Sequence, residues 1–303
     1  MHHLQEKACE LMTRLPTIQH RRIEVDGVDV FYRVSVPSRA GVPTLLLLHG
    51  FPSSSHQFRR LIDTLGDRFR LIAPDYPGFG NTVAPADFEY TFDRLAEITE
   101  GFADRLGLTE FALYVFDFGA PIGFRMAVRH PERITGLVVQ NGNAYEAGLS
   151  DGAREFIALR PDQDGAEQAI RQLLTLEGTR GQYETGVADP GLLAPDSWTL
   201  DQHYLELPGR KQAQLALAFD YHSNVARYPE WQSWLREFAP PTLITWGAND
   251  PFFPAPGAEA YLADLPGAEL HLFDTGHFAL ETHLGEIAPL IAAFLDRLPV
   301  HAR

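Results

Sequence analysis

One cysteine, Cys9, stands in 303 residues, so no disulfide can form within the chain. That fits a reducing compartment and gives the cytoplasm as the expected location. Long apolar runs are also missing: no stretch reaches the roughly 20 residues that span a bilayer. The amino-terminal stretch MHHLQEKACELMTRLP has no apolar core of signal-peptide length. Its His2 and His3 read as part of an exposed end rather than a metal site. Positive charge is scarce, with 25 Lys and Arg against 40 Asp and Glu and a formal net charge of −15. A surface that acidic argues against a nucleic-acid backbone or an anionic membrane as partner. Histidines and carboxylates show no compact metal-ligand spacing, and the glycines of YPGFG do not follow a dinucleotide fingerprint. No metal and no cofactor is expected.

What is present suits a globular α/β protein. Apolar residues make up 45% and charged residues 21%, and the length allows one α/β domain with an insertion or two modest domains. RRIEVDG and VDVFYRVSV, joined by Asp26-Gly27, read as an antiparallel hairpin. TLLLLHG (44–50) is a continuous apolar run, as in a strand covered on both faces. SSSHQFRRLIDTLGD carries serines suited to an N-cap and then Phe58, Leu61, Ile62 and Leu65 at helical spacing. The strand FRLIAP, the helix TFDRLAEITEGFADRLGL, the strand EFALYVF, the helix GAPIGFRMAVRH and the strand ITGLVVQNGN follow. This alternation predicts a mostly parallel central sheet with helices on both faces. After Asn143 it stops: residues 144–236 hold helical stretches and no buried-strand run. It resumes with PPTLITWG, AELHLFDTG and the helix EIAPLIAAFLDRL. The expected organisation is a core in two parts, 1–143 and 237–303, with 144–236 as an inserted helical cap over the carboxyl edge of the sheet.

Ligands of open α/β sheets bind beyond the carboxyl ends of the strands. Three ionisable residues fall at such ends: Asp117 after ALYVF, Asp250 after TLITWGAN and His277 after LHLFDTG. Their order is nucleophile, acid, histidine. With LLLLHGFPSSSHQFRRL, DYPGFGNT and TGHFALE, the chain resembles the α/β-hydrolase superfamily over nearly its whole length. The aspartate at the elbow narrows the resemblance to the branch of epoxide hydrolases and haloalkane dehalogenases. One departure is visible: Val115 stands where a glycine is usual in the elbow.

A carboxylate suits attack on saturated carbon. A serine would leave an ether that water cannot readily cleave, whereas Asp117 leaves an ester. Asp117 is ionised at neutral pH without a base to activate it. The resemblance implies that His277 deprotonates water for the second half-reaction, oriented by Asp250. It also implies that the backbone N–H groups of Phe51 and Phe118 form the oxyanion hole, leaving both rings to line an apolar cavity.

The leaving group separates two activities. Haloalkane dehalogenases hold the halide with side-chain N–H donors, but here those places are Phe118 and Phe51. Trp198, Trp231 and Trp234 remain as donors, with Trp231 and Trp234 also read as packing residues. The D-R-x-x-R pattern of fluoroacetate dehalogenases is replaced by DFGAPIGFR. Epoxide opening needs an acid, usually lid tyrosines, and the insert offers Tyr145, Tyr183, Tyr204, Tyr221 and Tyr228. LAFDYHSNVARYP favours Tyr221, with Tyr183 preferred to Tyr204 as the second. His222 replaces the arginine often seen beside the first. Epoxide hydrolysis is the expected activity, with haloalkane dehalogenation as the alternative and a ligand-binding receptor of the same fold as a third reading.

Among bland roles, His49 braces the oxyanion loop and His130 ends a helix. Ser53, Ser54 and Ser55 start one, and Asp75 forms a turn. The position rivalling Asp250, after the preceding core strand, reads QNGNAYE, with asparagines where a carboxylate is needed and Glu146 farther along. A small-molecule substrate and water are the expected partners. The sequence leaves the oligomeric state open, a homodimer included.

Overall fold

The structure, a computed structural model, describes residues 16–299. Cys9, His2 and His3 lie outside the described residues. β1 (Thr17–Val25) and β2 (Val28–Val36) pair antiparallel across the Asp26-Gly27 turn. β3 (Thr44–Leu48), β4 (Arg70–Pro74), β5 (Phe111–Phe116), β6 (Ile134–Gln140), β7 (Thr242–Gly247) and β8 (Glu269–Phe273) complete one sheet. Its order is β1-β2-β4-β3-β5-β6-β7-β8; β2 is antiparallel to both its neighbours, and every pair from β4 to β8 is parallel. β5 and β7 are buried at every position, as expected of strands covered on both faces, whereas β8 is a half-exposed edge.

The period of two along the strands divides the interior into two cores. Leu46, Leu48, Leu113, Val115 and Val139 belong to one core, while Leu45, Leu47, Ala112, Tyr114 and Val138 belong to the other, with the buried face of α1 (Arg59–Leu65). The first core takes α2 (Phe92–Arg105), whose N-cap Thr91 accepts from the Arg94 N–H, and α3 (Gly119–Arg129). Full burial of one such leucine is worth about 2 kcal/mol.

Between β6 and β7 the chain is helical: α4 (Asp151–Ala158), α5 (Ala166–Leu173), α6 (Leu176–Glu184), α7 (Pro195–Leu205), α8 (Arg210–Asp220), α9 (His222–Ala226) and α10 (Tyr228–Phe238). Arg125 of α3 ties this segment to the sheet layer. Its guanidinium is buried and donates to Asp93 at 2.6 Å, to Asn224 Oδ1 at 2.7 Å and to Ser223 Oγ at 3.2 Å. α11 (Pro256–Asp264) returns to the first core, and α12 (Ala279–Asp296) joins α1 in the second. The sequence pattern suggested that α12 starts near Glu286. It starts at Ala279, with a kink at His283 separating its first turn from the rest. Among the described residues no helix is long and apolar enough to cross a membrane.

Candidate active site

Asp117 follows β5 directly and has a φ of 48°, a left-handed conformation uncommon for residues other than glycine. The valine at position 115 fits because of a second glycine. A Cβ on Gly123 of α3 would lie 2.6 Å from Val115 Cγ1, so the missing side chain on the helix makes room for the one on the strand. Gly50 opens the other side of the turn. A Cβ there would meet Asp117 Cβ at 2.3 Å, and with hydrogen alone the loop after β3 brings the Phe51 N–H to 2.6 Å from Asp117 Oδ1.

Asp117 is buried, and burial pushes its carboxyl up to about 6. The charge of His277 and the N–H groups of Phe118 and Phe51 oppose that rise. The group is therefore mostly a carboxylate at pH 7.5 and not below pH 6, a narrower window than an exposed aspartate has.

His277 and Asp250 come from the loops after β8 and β7. The imidazole Nδ1 lies 2.6 Å from Asp250 Oδ2, and Nε2 lies 3.8 Å from Asp117 Oδ2. The second distance exceeds a hydrogen bond, so the Asp117 oxygen is not spent on the ring. Burial lowers the His277 pKa, but the charge and hydrogen bond of Asp250, with the charge of Asp117, outweigh it and leave it raised. Asp250 is itself held: its Oδ1 accepts from the N–H groups of Phe252 (2.8 Å) and Phe253 (3.2 Å). Its Oδ2 also accepts from Asn141 Nδ2 at 2.8 Å.

Asn141 is a contributor that the sequence reading passed over. It follows β6 and has a φ of 40°. Its amide bonds the Gly247 carbonyl (3.1 Å) and accepts from the Gly247 N–H (2.9 Å), while its carbonyl accepts from the Asp117 N–H (3.2 Å). One residue thus links the turns that carry both carboxylates. The segment lacks a carboxylate, but its amide positions the carboxylate that follows the next strand. Glu146 lies apart, exposed and 3.6 Å from Arg154.

Asp117 and His277 open onto a cavity of about 320 Å³ lined by Phe51, Phe118, Tyr221 and mostly apolar side chains of the inserted helices. Burial, then the charges of Tyr228, Asp117 and Tyr261 and a hydrogen bond with Tyr228, raise the Tyr221 hydroxyl well above its usual range, so it keeps its proton. Tyr183 is elsewhere, contrary to the sequence expectation. Its ring stacks on Phe278 at 3.9 Å and its hydroxyl donates to buried Asp201, so it has no proton to offer the cavity. Tyr145 donates to Asp264, while Tyr204 and Tyr228 accept from Asn81 and Asn143. Trp198, Trp231 and Trp234 do not line the cavity; Trp231 stacks on Phe124 at 5.3 Å, and Trp234 meets the same ring edge-on at 6.3 Å. Two polar side chains that do line it, Gln182 and Gln214, carry no motif that a sequence reading could use.

The bracing residues also have clear roles. Burial lowers His49 to about 3, so it is neutral; its Nδ1 donates to the Gly50 carbonyl and its Nε2 accepts from the Tyr76 N–H. Ser54 caps the turn that leads into α1, and Asp75 accepts from the N–H groups of Ser55 and Asn81. Among the described residues no group of three or more His, Cys, Asp or Glu could hold a metal ion.

Eight strands in this order, a positive-φ aspartate after the fifth and a histidine–carboxylate pair at two other strand ends define a class, the α/β hydrolases. The sequence profile of the alpha/beta hydrolase fold family matches residues 43–284, and the chain belongs to that family. It is similar to the uncharacterized hydrolase YNR064C of Saccharomyces cerevisiae, with 44% identity over 277 residues, covering 89% of this chain and 95% of that one. It is also similar to haloalkane dehalogenase 2 of Mycobacterium tuberculosis, with 41% identity over 269 residues, covering 84% and 87% of the two chains. Among solved structures, the haloalkane dehalogenase DatA of Agrobacterium tumefaciens matches with a TM-score of 0.75 and 24% identity, over 92% of this chain and 97% of that one. That last likeness concerns the fold alone. The chain is a hydrolase of the α/β fold in the haloalkane dehalogenase-like branch.

Proposed function

We propose that the protein hydrolyses small, largely apolar epoxides through an ester on Asp117, with the helices of 144–236 acting as the cap. The observation that carries this reading is that Tyr221 lines the same cavity as Asp117 and His277, with phenylalanine at both usual halide-donor positions. Asp117 Oδ1 already accepts from the Phe51 N–H, which leaves Oδ2 as the attacking oxygen. Oδ2 bonds to an epoxide carbon, the C–O bond breaks, and the Tyr221 O–H gives its proton to the departing oxygen. Esterification removes the Asp117 charge, one of the causes that raise His277, so the imidazole becomes a better-populated neutral base just when water must be deprotonated. Hydroxide adds to the ester carbonyl, and the N–H groups of Phe51 and Phe118 hold the oxyanion, each donor being worth about 3 kcal/mol. Collapse frees the diol oxygen, which takes the proton of the new carboxyl. The imidazolium proton then restores Tyr221.

The name of the mycobacterial relative supports a second reading, hydrolysis of a carbon–halogen bond at the same carboxylate. A halide leaves without a proton, so one variant separates the two. Tyr221→Phe should slow epoxide turnover about 100-fold and leave any halide release unchanged, read by diol formation and halide titration. Halide release by the wild type with no diol from any epoxide would reverse the assignment.

A further inference from the structure

Two amide side chains on the cavity wall take no part in that chemistry. Gln182 of α6 is 6% exposed, and its Nε2 has no hydrogen-bond partner in the protein. Gln214 of α8 is 2% exposed; its Nε2 donates to the Gly78 carbonyl at 3.0 Å. That bond fixes the amide's orientation and leaves Oε1 as a buried acceptor without a partner. Native proteins seldom keep such atoms, because each has given up its hydration and gained nothing in exchange. Both sit on inserted helices, whereas Asp117 and His277 come from strand ends. The neighbouring wall is apolar, with Phe156, Ile157, Ile170, Leu173 and Leu174.

We infer that Gln182 and Gln214 form a polar subsite that selects substrates carrying a hydroxyl group away from the reacting carbon. A hydroxyl is the smallest neutral group that both accepts from an amide N–H and donates to an amide oxygen. A charged group beside these two neutral amides and the apolar wall would lose its hydration without an opposite charge next to it. The small volume restricts the substrate to a short chain. The preferred substrates are thus short hydroxylated epoxides rather than plain alkyl epoxides. Their epoxide part rests on the proposed function, while the subsite itself does not.

The test compares 5,6-epoxyhexan-1-ol with 1,2-epoxyhexane on the wild type and on Gln182→Met. Gln182 makes no hydrogen bond through Nε2, so the near-isosteric methionine should fold. The ratio of kcat/KM, hydroxylated over plain, should fall about tenfold in the variant. Gln214→Met, read the same way, keeps the test open should the first variant fold poorly. Calorimetric binding of hexane-1,2,6-triol and hexane-1,2-diol to the same proteins reads the subsite without chemistry. If neither epoxide reacts but the triol-over-diol ratio still falls in the variant, the subsite stands and the proposed reaction falls. Ratios unchanged by substitution, in turnover and in binding, overturn the subsite.

Discussion

Replacing Asn141 with alanine removes three side-chain hydrogen bonds at once. The Gly247 N–H and carbonyl lose their partners at 2.9 and 3.1 Å, and Asp250 Oδ2 loses a donor at 2.8 Å. Asn141 and Asp250 are both buried, so water cannot readily replace what is lost. Each orphaned group is worth about 1–3 kcal/mol, and alanine at a φ of 40° adds about 1 kcal/mol more. Taking the low end of each, a loss of about 4 kcal/mol lowers Tm by about 10 °C in a chain of this size. The kinetic effect should fall on one half-reaction. Asp250 would hold His277 less firmly, whereas Asp117 would keep its Phe51 hydrogen bond and its position. Ester hydrolysis should slow about tenfold, equivalent to one such hydrogen bond, while ester formation changes little. Thermal unfolding and rapid-quench measurement of the ester on Asp117 check both parts. A Tm within 2 °C of wild type, by the conversion of roughly 2–4 °C per kcal/mol, or no extra ester in the steady state, would refute the linking role given to Asn141.

Two further outcomes follow from buried carboxyls. Burial raises Asp117 to about 6 and attack needs the carboxylate, so single-turnover ester formation should rise with pH through about 6 and level off above it; a flat profile between pH 5 and 8, a span of about 3 units around the ordinary histidine range, would contradict this. Burial raises Asp201 to about 7 against the pull of Tyr183 and Ser53. Its folded pKa lies above its unfolded value, so its contribution is present at low pH and is lost as pH rises through about 7. Asp201→Asn keeps an acceptor for Tyr183 and should raise Tm, more at pH 8 than at pH 5; calorimetric scans showing an equal or opposite change would refute it.

Most of the architecture was legible because strands covered on both faces are short apolar runs and the inserted helices are not. The strand-end positions of Asp117 and Asp250 are legible for the same reason, since β5 and β7 are such runs, and His277 follows β8, an edge strand short enough to recognise from AELHLF. What escaped depends on contacts between distant segments. Nothing local to Tyr183 tells that its hydroxyl meets Asp201, 18 residues on, and its ring Phe278. The role of Asn141 is hidden in the sequence because its partners, Gly247 and Asp250, lie 106 and 109 residues away. Val115 was a departure only until Gly123 was seen opposite it. The first turn of α12 is set off by Phe278 and His283, which do not carry helical φ/ψ values.

The most direct measurement is intact-protein and peptide mass spectrometry of His277→Gln after incubation with an epoxide panel. The ester should form and persist, because attack by Asp117 needs no histidine and hydrolysis does. A mass increase equal to one substrate, located on Asp117, is the expected result. An unmodified Asp117, or an adduct on one of the serines at 53–55, would contradict it.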